Sequence, residues 1–238
     1  MTKPLDIVVV TPTYNEKENL PILAAGVLSH PGFRLLVVDD GSPDGTGEIA
    51  EELARTHPGR VEVMHRTGPR GLGRSYIDGL RRALESGADL IFQMDADLSH
   101  NPEYLPKIAE AASLYDVVIG SRYLNGVSVV NWPLHRIFLS AFANRYIRTV
   151  TSLTPNDCTS GYRCWRRESL ARLPLDRMVS DGYAFLVEML FEARRAGCRF
   201  GEVPIIFVER RQGQSKVSSA VLIESLITPW RLLFRKVP

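Results

Sequence analysis

The feature that most constrains this chain is an alternation running through its first 120 residues. Short apolar, β-rich runs take turns with helix-like segments, and three of the runs stop at a polar or acidic cluster. The runs read as strands are Leu5–Val10, Phe33–Val38, Val61–His65, Asp89–Met94 and Val117–Gly120. The helices expected between them are Asn15–Leu28, Thr46–Thr56, Gly71–Ser86 and Pro102–Ala112, the last with proline at its start. Strands alternating with helices of about 10–15 residues build a mostly parallel, Rossmann-like α/β sheet flanked by helices. Ligands in such sheets sit beyond the carboxyl ends of the strands. Three groups should therefore converge on one edge: Thr11-Pro12-Thr13-Tyr14-Asn15-Glu16, Asp39-Asp40-Gly41-Ser42 and Asp95-Ala96-Asp97.

Beyond residue 120 the rhythm breaks. Ser121–Pro133 reads as a loop uncharged but for Arg122, Leu134–Val150 as a helix carrying Arg136, Arg145 and Arg148, and Gly161–Trp165 as a short strand. Tyr183–Ala196 reads as a helix, Val203–Val208 as a strand and Gln212–Ser215 as a loop. Composition excludes several classes. With 238 residues, 45% hydrophobic and 24% charged, the chain is a globular body and neither disordered, collagen-like nor coiled coil. No apolar run reaches the roughly 18–20 residues that span a bilayer. Asn15-Glu16 stands where a signal-peptide cleavage site would lie, so no signal peptide is expected. Cys158, Cys164 and Cys198 lack metal spacing and read as reduced thiols of a cytosolic protein.

The net charge of +2 hides an asymmetry. Residues 1–120 hold 11 Lys/Arg and 18 Asp/Glu, and residues 121–238 hold 18 and 9; arginine supplies 24 of the 29 bases. Arginine suits bidentate phosphate recognition, although codon bias toward arginine explains the composition equally well. Asp95 and Asp97, at i and i+2 after an apolar strand, can share one hard cation beside phosphate oxygens; the plain alternative is a polar strand end. A D-x-D phosphatase normally carries that motif on its first strand, which disfavours that class. Gly71-Leu72-Gly73 lacks a third glycine, Tyr76 standing there, so dinucleotide binding is rejected. Asp44 or Ser42 can cap the next helix and Gly45 relaxes the turn. Adjacent Asp39 and Asp40 need a partner, and the N–H groups of a nucleotide base would serve.

Together these stretches resemble the family-2 glycosyltransferases of the GT-A fold. Gly120-Ser121-Arg122-Tyr123, Asn131-Trp132-Pro133, Thr159-Ser160-Gly161-Tyr162-Arg163 and Gly213-Gln214-Ser215-Lys216 narrow the resemblance. They are similar to the polyprenol (dolichol) phosphate mannose synthases, in particular the soluble-bodied, actinobacterial type, across residues 5–218. The resemblance implies inverting transfer of mannose from GDP-mannose to polyprenyl phosphate. It places the nucleoside on Pro12, Tyr14, Glu16, Asp39 and Asp40. Mg²⁺ or Mn²⁺ and the diphosphate fall on Asp95, Ala96 and Asp97, with Asp97 and Arg122 catalytic. Arg122, Arg136 and Ser140 hold the lipid phosphate, and Arg210 and Lys216 the donor phosphates. There are departures: Ser99 stands where some relatives carry a metal-contacting Gln, and Leu186 replaces a Gln in the stretch matched by Gly182, Tyr183, Phe185 and Glu188.

A phosphate acceptor is largely ionised at neutral pH, its second pKa lying near ~6, and needs no strong general base. The chain lacks the Gln-x-x-Arg-Trp and Thr-Glu-Asp motifs of relatives that activate hydroxyls, which agrees. Residues 1–216 are expected to form the catalytic domain and 217–238 an amphipathic tail. The tail carries Val221, Leu222, Leu226, Trp230, Leu233 and Phe234 beside Arg231, Arg235 and Lys236, with Pro229 expected to kink it. It reads either as an interfacial helix on lipid or as a helix packed on the body. The loop 123–134, ending near Trp132, is a second candidate for lipid contact. The expected location is cytoplasmic, peripheral to the cytoplasmic face of the membrane. A separate membrane-anchoring subunit stays open, and no nucleic-acid partner is expected. Two alternatives remain: a polyprenyl-phosphate glucosyltransferase using UDP-glucose, and a non-catalytic sugar-nucleotide-binding subunit.

Overall fold

The computed structural model describes residues 4–178, 180, 182–209 and 219–235. Its centre is a seven-stranded sheet. The strands in chain order are β1 Ile7–Thr13, β2 Phe33–Asp39, β3 Val61–His65, β4 Leu90–Gln93, β5 Val117–Ser121, β7 Arg163–Arg166 and β8 Phe200–Pro204; in space they run β3-β2-β1-β4-β7-β5-β8. All neighbours are parallel except β7, which pairs antiparallel with both β4 and β5. The helices are α1 Leu20–Leu28, α2 Thr46–Thr56, α3 Leu72–Glu85, α4 Leu105–Ala111, α5 Leu134–Thr151, α6 Arg167–Leu170, α7 Gly182–Arg195 and α8 Ser219–Phe234. The strands are apolar on both faces because helices cover both. Val8, Val10, Leu36, Val38 and Ile91 pack with α3 and α7, and Val9, Leu35, Val37 and Phe92 pack with α1 and α4.

Strand boundaries differ from the sequence reading in two informative places. β1 runs through Pro12 to Thr13 instead of stopping at Val10. The carbonyl of Val10 accepts from the Met94 N–H, so Pro12, two residues on, faces the same side. Pairing with β4 has already ended there, at Gln93, and proline's missing donor costs nothing. The expected strand Val203–Val208 is divided. β8 ends at Pro204, and Phe207–Val208 (β9) pairs with Val129–Val130 (β6), inside the segment read as loop. Two-residue strands carry no periodicity of their own and exist because the tertiary structure juxtaposes them.

α8 does two things at once. It packs on α5 and α7, burying Thr228 and Leu232, while Ile227, Trp230 and Phe234 remain exposed. The helix continues through Pro229. Its last described residue, Arg235, ion-pairs with Glu188, a carboxylate fully buried on α7.

Candidate active site

The sheet edge opens where β1 and β4 part company, beyond Val10 and Gln93. On the β2 side, Thr13, Asp39 and Ser42 form one cluster. The Asp39 carboxylate is buried and accepts from the Thr13 hydroxyl at 3.3 Å, the Ser42 hydroxyl at 2.6 Å and the Ser42 N–H at 3.3 Å. Asp40 ion-pairs with Arg66 and accepts from the Gly71 N–H at 2.9 Å. The charge that two adjacent aspartates bring to a strand end is thus answered within the protein. Thr46 joins the loops: its hydroxyl accepts from the Glu16 N–H at 2.9 Å and donates to Asp44 at 2.6 Å. The N-cap of α2 is Gly45, at φ 95°, and not Asp44 or Ser42 as expected; Asp44, one residue earlier, accepts the Thr46 N–H, and Ser42 serves Asp39 instead. Over the opening, the Arg70 guanidinium lies 4.6 Å from the centroid of the half-exposed Tyr14 ring and donates to its hydroxyl at 2.7 Å. The Glu16 carboxylate accepts from Asn19 at 2.7 Å.

The acidic pair follows β4. Tyr76 of α3 donates to Asp95 Oδ1 at 2.6 Å, and burial, then the neighbouring Asp95 charge, pushes its phenol far above the ordinary range, so it stays a donor. The Asp95 N–H donates to Nδ1 of buried His100 at 3.1 Å. Asp97 accepts from the Ser99 hydroxyl at 2.5 Å and its N–H at 3.1 Å. That turn requires Leu98 at φ 61°, a left-handed conformation that a branched side chain adopts only under constraint. Ala96 is buried between the two carboxylates. A Cβ at Gly161 would meet the Asp95 carboxylate oxygens at 3.1 and 3.4 Å, so glycine leaves that carboxylate its room. Among the described residues no group of three or more His, Cys, Asp and Glu side chains could hold a metal ion. The donor set that remains is two carboxylates, which suits a hard cation completed by waters and phosphate oxygens.

The basic side is built around Arg122, after β5. It forms a bidentate pair with the fully buried Asp157, at 2.6 Å to each oxygen, and donates to Thr159 at 2.7 Å. Burial raises the Asp157 pKa; the Arg122 charge, the hydrogen bonds from Arg122 and the charge of Arg163 together outweigh it and hold the carboxyl below the usual range. Arg136 on α5 ion-pairs with Glu209 and lies 4.1 Å from the centroid of the Trp132 ring. Ser140, one turn further along α5, accepts from the Tyr123 hydroxyl at 2.7 Å. Arg210, Lys216 and Lys236 lie outside the described residues, as do the side chains of Val221, Leu222 and Tyr183.

The acidic and basic sides are joined by one segment, 157–163. Asp157 and Thr159 hold Arg122, while Gly161 abuts Asp95. Arg163, fully buried, ties the segment down by donating to the carbonyls of Ser160, Cys158 and Leu186 at 2.7–2.9 Å. Burial lowers its pKa to about 10, which still leaves it charged at neutral pH. Glu202 of β8 accepts the N–H groups of Asn156 and Asp157 at 2.9 and 3.2 Å. Asp157, Tyr76, His100 and Glu202 escaped the sequence reading because each acts through contacts 19 or more residues away in sequence, or through a backbone N–H, and neither leaves a local pattern.

Residues 8–173 match the family described as Glycosyl transferase family 2. The chain is 44% identical over 232 residues to the undecaprenyl-phosphate mannosyltransferase of Micrococcus luteus, covering 96% of this chain and 95% of that protein. It is 45% identical over 221 residues to the polyprenol monophosphomannose synthase of Mycolicibacterium smegmatis, covering 92% and 83%. Among solved structures, glucosyl-3-phosphoglycerate synthase of Mycobacterium tuberculosis with Mn²⁺, UDP and glucosyl-3-phosphoglycerate shares the fold. The TM-score is 0.68 at 18% identity, over 94% of this chain and 80% of that one. The same enzyme with Mg²⁺ and UDP gives 0.67 at 17% identity, over 94% and 79%.

Proposed function

This chain belongs to glycosyl transferase family 2, a glycosyltransferase of GT-A architecture and polyprenol-phosphate mannose synthase type, and from that premise we propose that it transfers mannose from GDP-mannose to a polyprenyl phosphate. The observation that carries the reading is the 157–163 segment, which binds an acidic strand end and an arginine cluster into one site. A donor diphosphate with its cation belongs at the first, an acceptor phosphate at the second.

In this reading the nucleoside lies against Pro12, Tyr14, Glu16, Asp39 and Asp40. Asp95, Ala96 and Asp97 face the diphosphate, and Asp95 and Asp97 would hold Mg²⁺ or Mn²⁺, which neutralises charge on the departing diphosphate. Tyr76 and Ser99 orient the two carboxylates. Arg122, Arg136 and Ser140 receive the lipid phosphate, with Arg210 and Lys216 assigned to the donor phosphates by the sequence. One phosphate oxygen attacks the anomeric carbon as the bond to the GDP oxygen breaks. GDP leaves with the electron pair, and the configuration inverts. The nucleophile is already anionic, so the work left to the protein is positioning and charge stabilisation. Arg122, fixed by Asp157 and Thr159, presents its charge without further ordering.

A lipid acceptor calls for a membrane surface. Among the described residues no helix is long and apolar enough to cross one. The outward faces of α5 and α8 instead expose Leu134, Phe138, Phe142, Ile227, Trp230 and Phe234. Peripheral docking through this face, on the cytoplasmic side, is part of the proposal.

The test is transfer of label from GDP-mannose to a short polyprenyl phosphate, with Mg²⁺, with EDTA, and with Asp97→Ala. Label should enter the organic phase and be lost, by about 10²-fold or more, under EDTA and in the variant. GDP binding without transfer would overturn the sugar or the acceptor. Neither binding nor transfer would overturn the nucleotide as well.

A further inference from the structure

Trp132 poses a problem that its neighbours do not solve. Its indole Nε1 is shut off from solvent and has no hydrogen-bond partner, one of three such buried side-chain atoms among the described residues. A buried donor left without an acceptor is destabilising, so its persistence calls for a compensating role. The surroundings say what that is. Two guanidiniums attend the same ring, Arg136 at 4.1 Å and Arg122 at 5.5 Å from its centroid, and the Phe207 ring closes it edge-on at 5.4 Å. The ring's place is set by the chain before it: Asn131 sits at φ 66°, a left-handed turn that asparagine tolerates, and β6 before that is paired with β9. The fold thus holds an unpartnered N–H on a ring flanked by two cations. Cations and an N–H donor share one class of ligand, an oxyanion.

We propose that the Trp132 indole N–H is a direct donor to the phosphate of the acceptor, completing a cradle with Arg136 and Arg122, while its ring face keeps the Arg136 guanidinium turned toward that phosphate. The assignment rests on the acceptor being a phosphomonoester, as set out above. It adds a neutral, directional donor to a site otherwise described by charges. Nε1 is closed off in this structure, so the phosphate reaches it by displacing a neighbouring side chain; Glu209, whose carboxylate is paired with Arg136, is the group an incoming anion competes with.

The experiment separates this idea from the reading it rests on. Full-length protein labelled with ¹⁵N at its three tryptophans is titrated with geranyl phosphate, and with inorganic phosphate in a parallel arm; Trp132→Phe assigns the indole signal. The Trp132 indole proton should move downfield with geranyl phosphate while that of Trp165, which already donates to Gln93 at 2.8 Å, stays still. A shift with inorganic phosphate as well places recognition in the phosphate; a shift with geranyl phosphate alone adds the prenyl chain. Kinetically, Trp132→Phe keeps the ring under Arg136 and removes only the N–H. Its KM for the prenyl phosphate should rise about tenfold with the KM for GDP-mannose unchanged. An unmoved indole signal at saturating geranyl phosphate, or a Trp132→Phe enzyme with wild-type acceptor KM, overturns the proposal. If wild-type protein transfers no sugar to any prenyl phosphate, the functional reading fails, and the indole shift still decides whether Trp132 meets a phosphate.

Discussion

Glu209 is the residue whose role reverses with the ligand. In the structure it neutralises Arg136, whose other close companion is the Trp132 ring. On the proposed function, an acceptor phosphate has to compete with that carboxylate for the guanidinium. Both partners are partly exposed, and such pairs are worth about 0.2–1 kcal/mol. Glu209→Gln should therefore lower the acceptor KM about threefold and leave the KM for GDP-mannose alone. A steady-state KM that rises, or does not move, shows that Glu209 positions Arg136 instead of masking it. At this scale the sequence was partly legible. Arg122, Arg136, Asp95 and Asp97 stand out by residue type and by their place after strands. Asp157 does not, because a single acid in Asn156-Asp157-Cys158 carries no local sign that it lies fully buried under an arginine 35 residues away.

At the scale of elements, the approach of α3 to the sheet governs the acidic side. This helix carries Tyr76, the orienting partner of Asp95, and starts at the Gly71 N–H held by Asp40. Its seat depends on Gly79. A Cβ there would lie 2.5 Å from Val10 Cγ1 and 2.7 Å from Val38 Cγ2, on two central strands that cannot yield. Alanine is the better helix former by about 1 kcal/mol, yet Gly79→Ala should lose about 1–3 kcal/mol through overpacking. A denaturation midpoint raised by the substitution would refute this account of the packing. The long strands and helices of the first 120 residues were legible because each carries enough apolar residues to set a period. β6 and β9 were not, being too short to show one, and neither was the reversed direction of β7, which depends on the path of α5 and the 152–162 connection.

At the scale of the whole molecule, α5 and α8 together present an apolar face. The exposed residues of α5 (Phe138 at 71%, Phe142 at 63%) and of α8 (Phe234 at 77%) belong to helices packed on each other, and the Tyr146 hydroxyl links the two, donating to the Leu226 carbonyl at 2.8 Å and accepting from the Trp230 indole at 2.7 Å. A face of this kind suits a lipid interface. The intact protein should co-sediment with vesicles containing anionic lipid, and Phe138→Glu, Phe142→Glu and Phe234→Glu together should cut the bound fraction several-fold while leaving thermal stability within a few degrees. Unchanged sedimentation would mean that lipid is met elsewhere. Substitution is the cleaner test than removing the tail, since losing Arg235 strands the buried Glu188 carboxylate, a change that costs about 3–5 kcal/mol.

The sequence by itself determined the alternating α/β architecture and the strand ends at which chemistry gathers, because periodicity and turn residues are local and act within a few positions. It also carried, through several motifs in order, the resemblance to a glycosyltransferase family. Only the tertiary structure decided that 157–163 ties the acidic and basic sides together, that Arg122 is held by Asp157, that α8 buries Thr228 and Leu232 while exposing Ile227, Trp230 and Phe234, and that the Trp132 N–H lacks a partner. Each of these depends on which distant groups share a buried space, and desolvation acts on neighbours in space regardless of their separation along the chain.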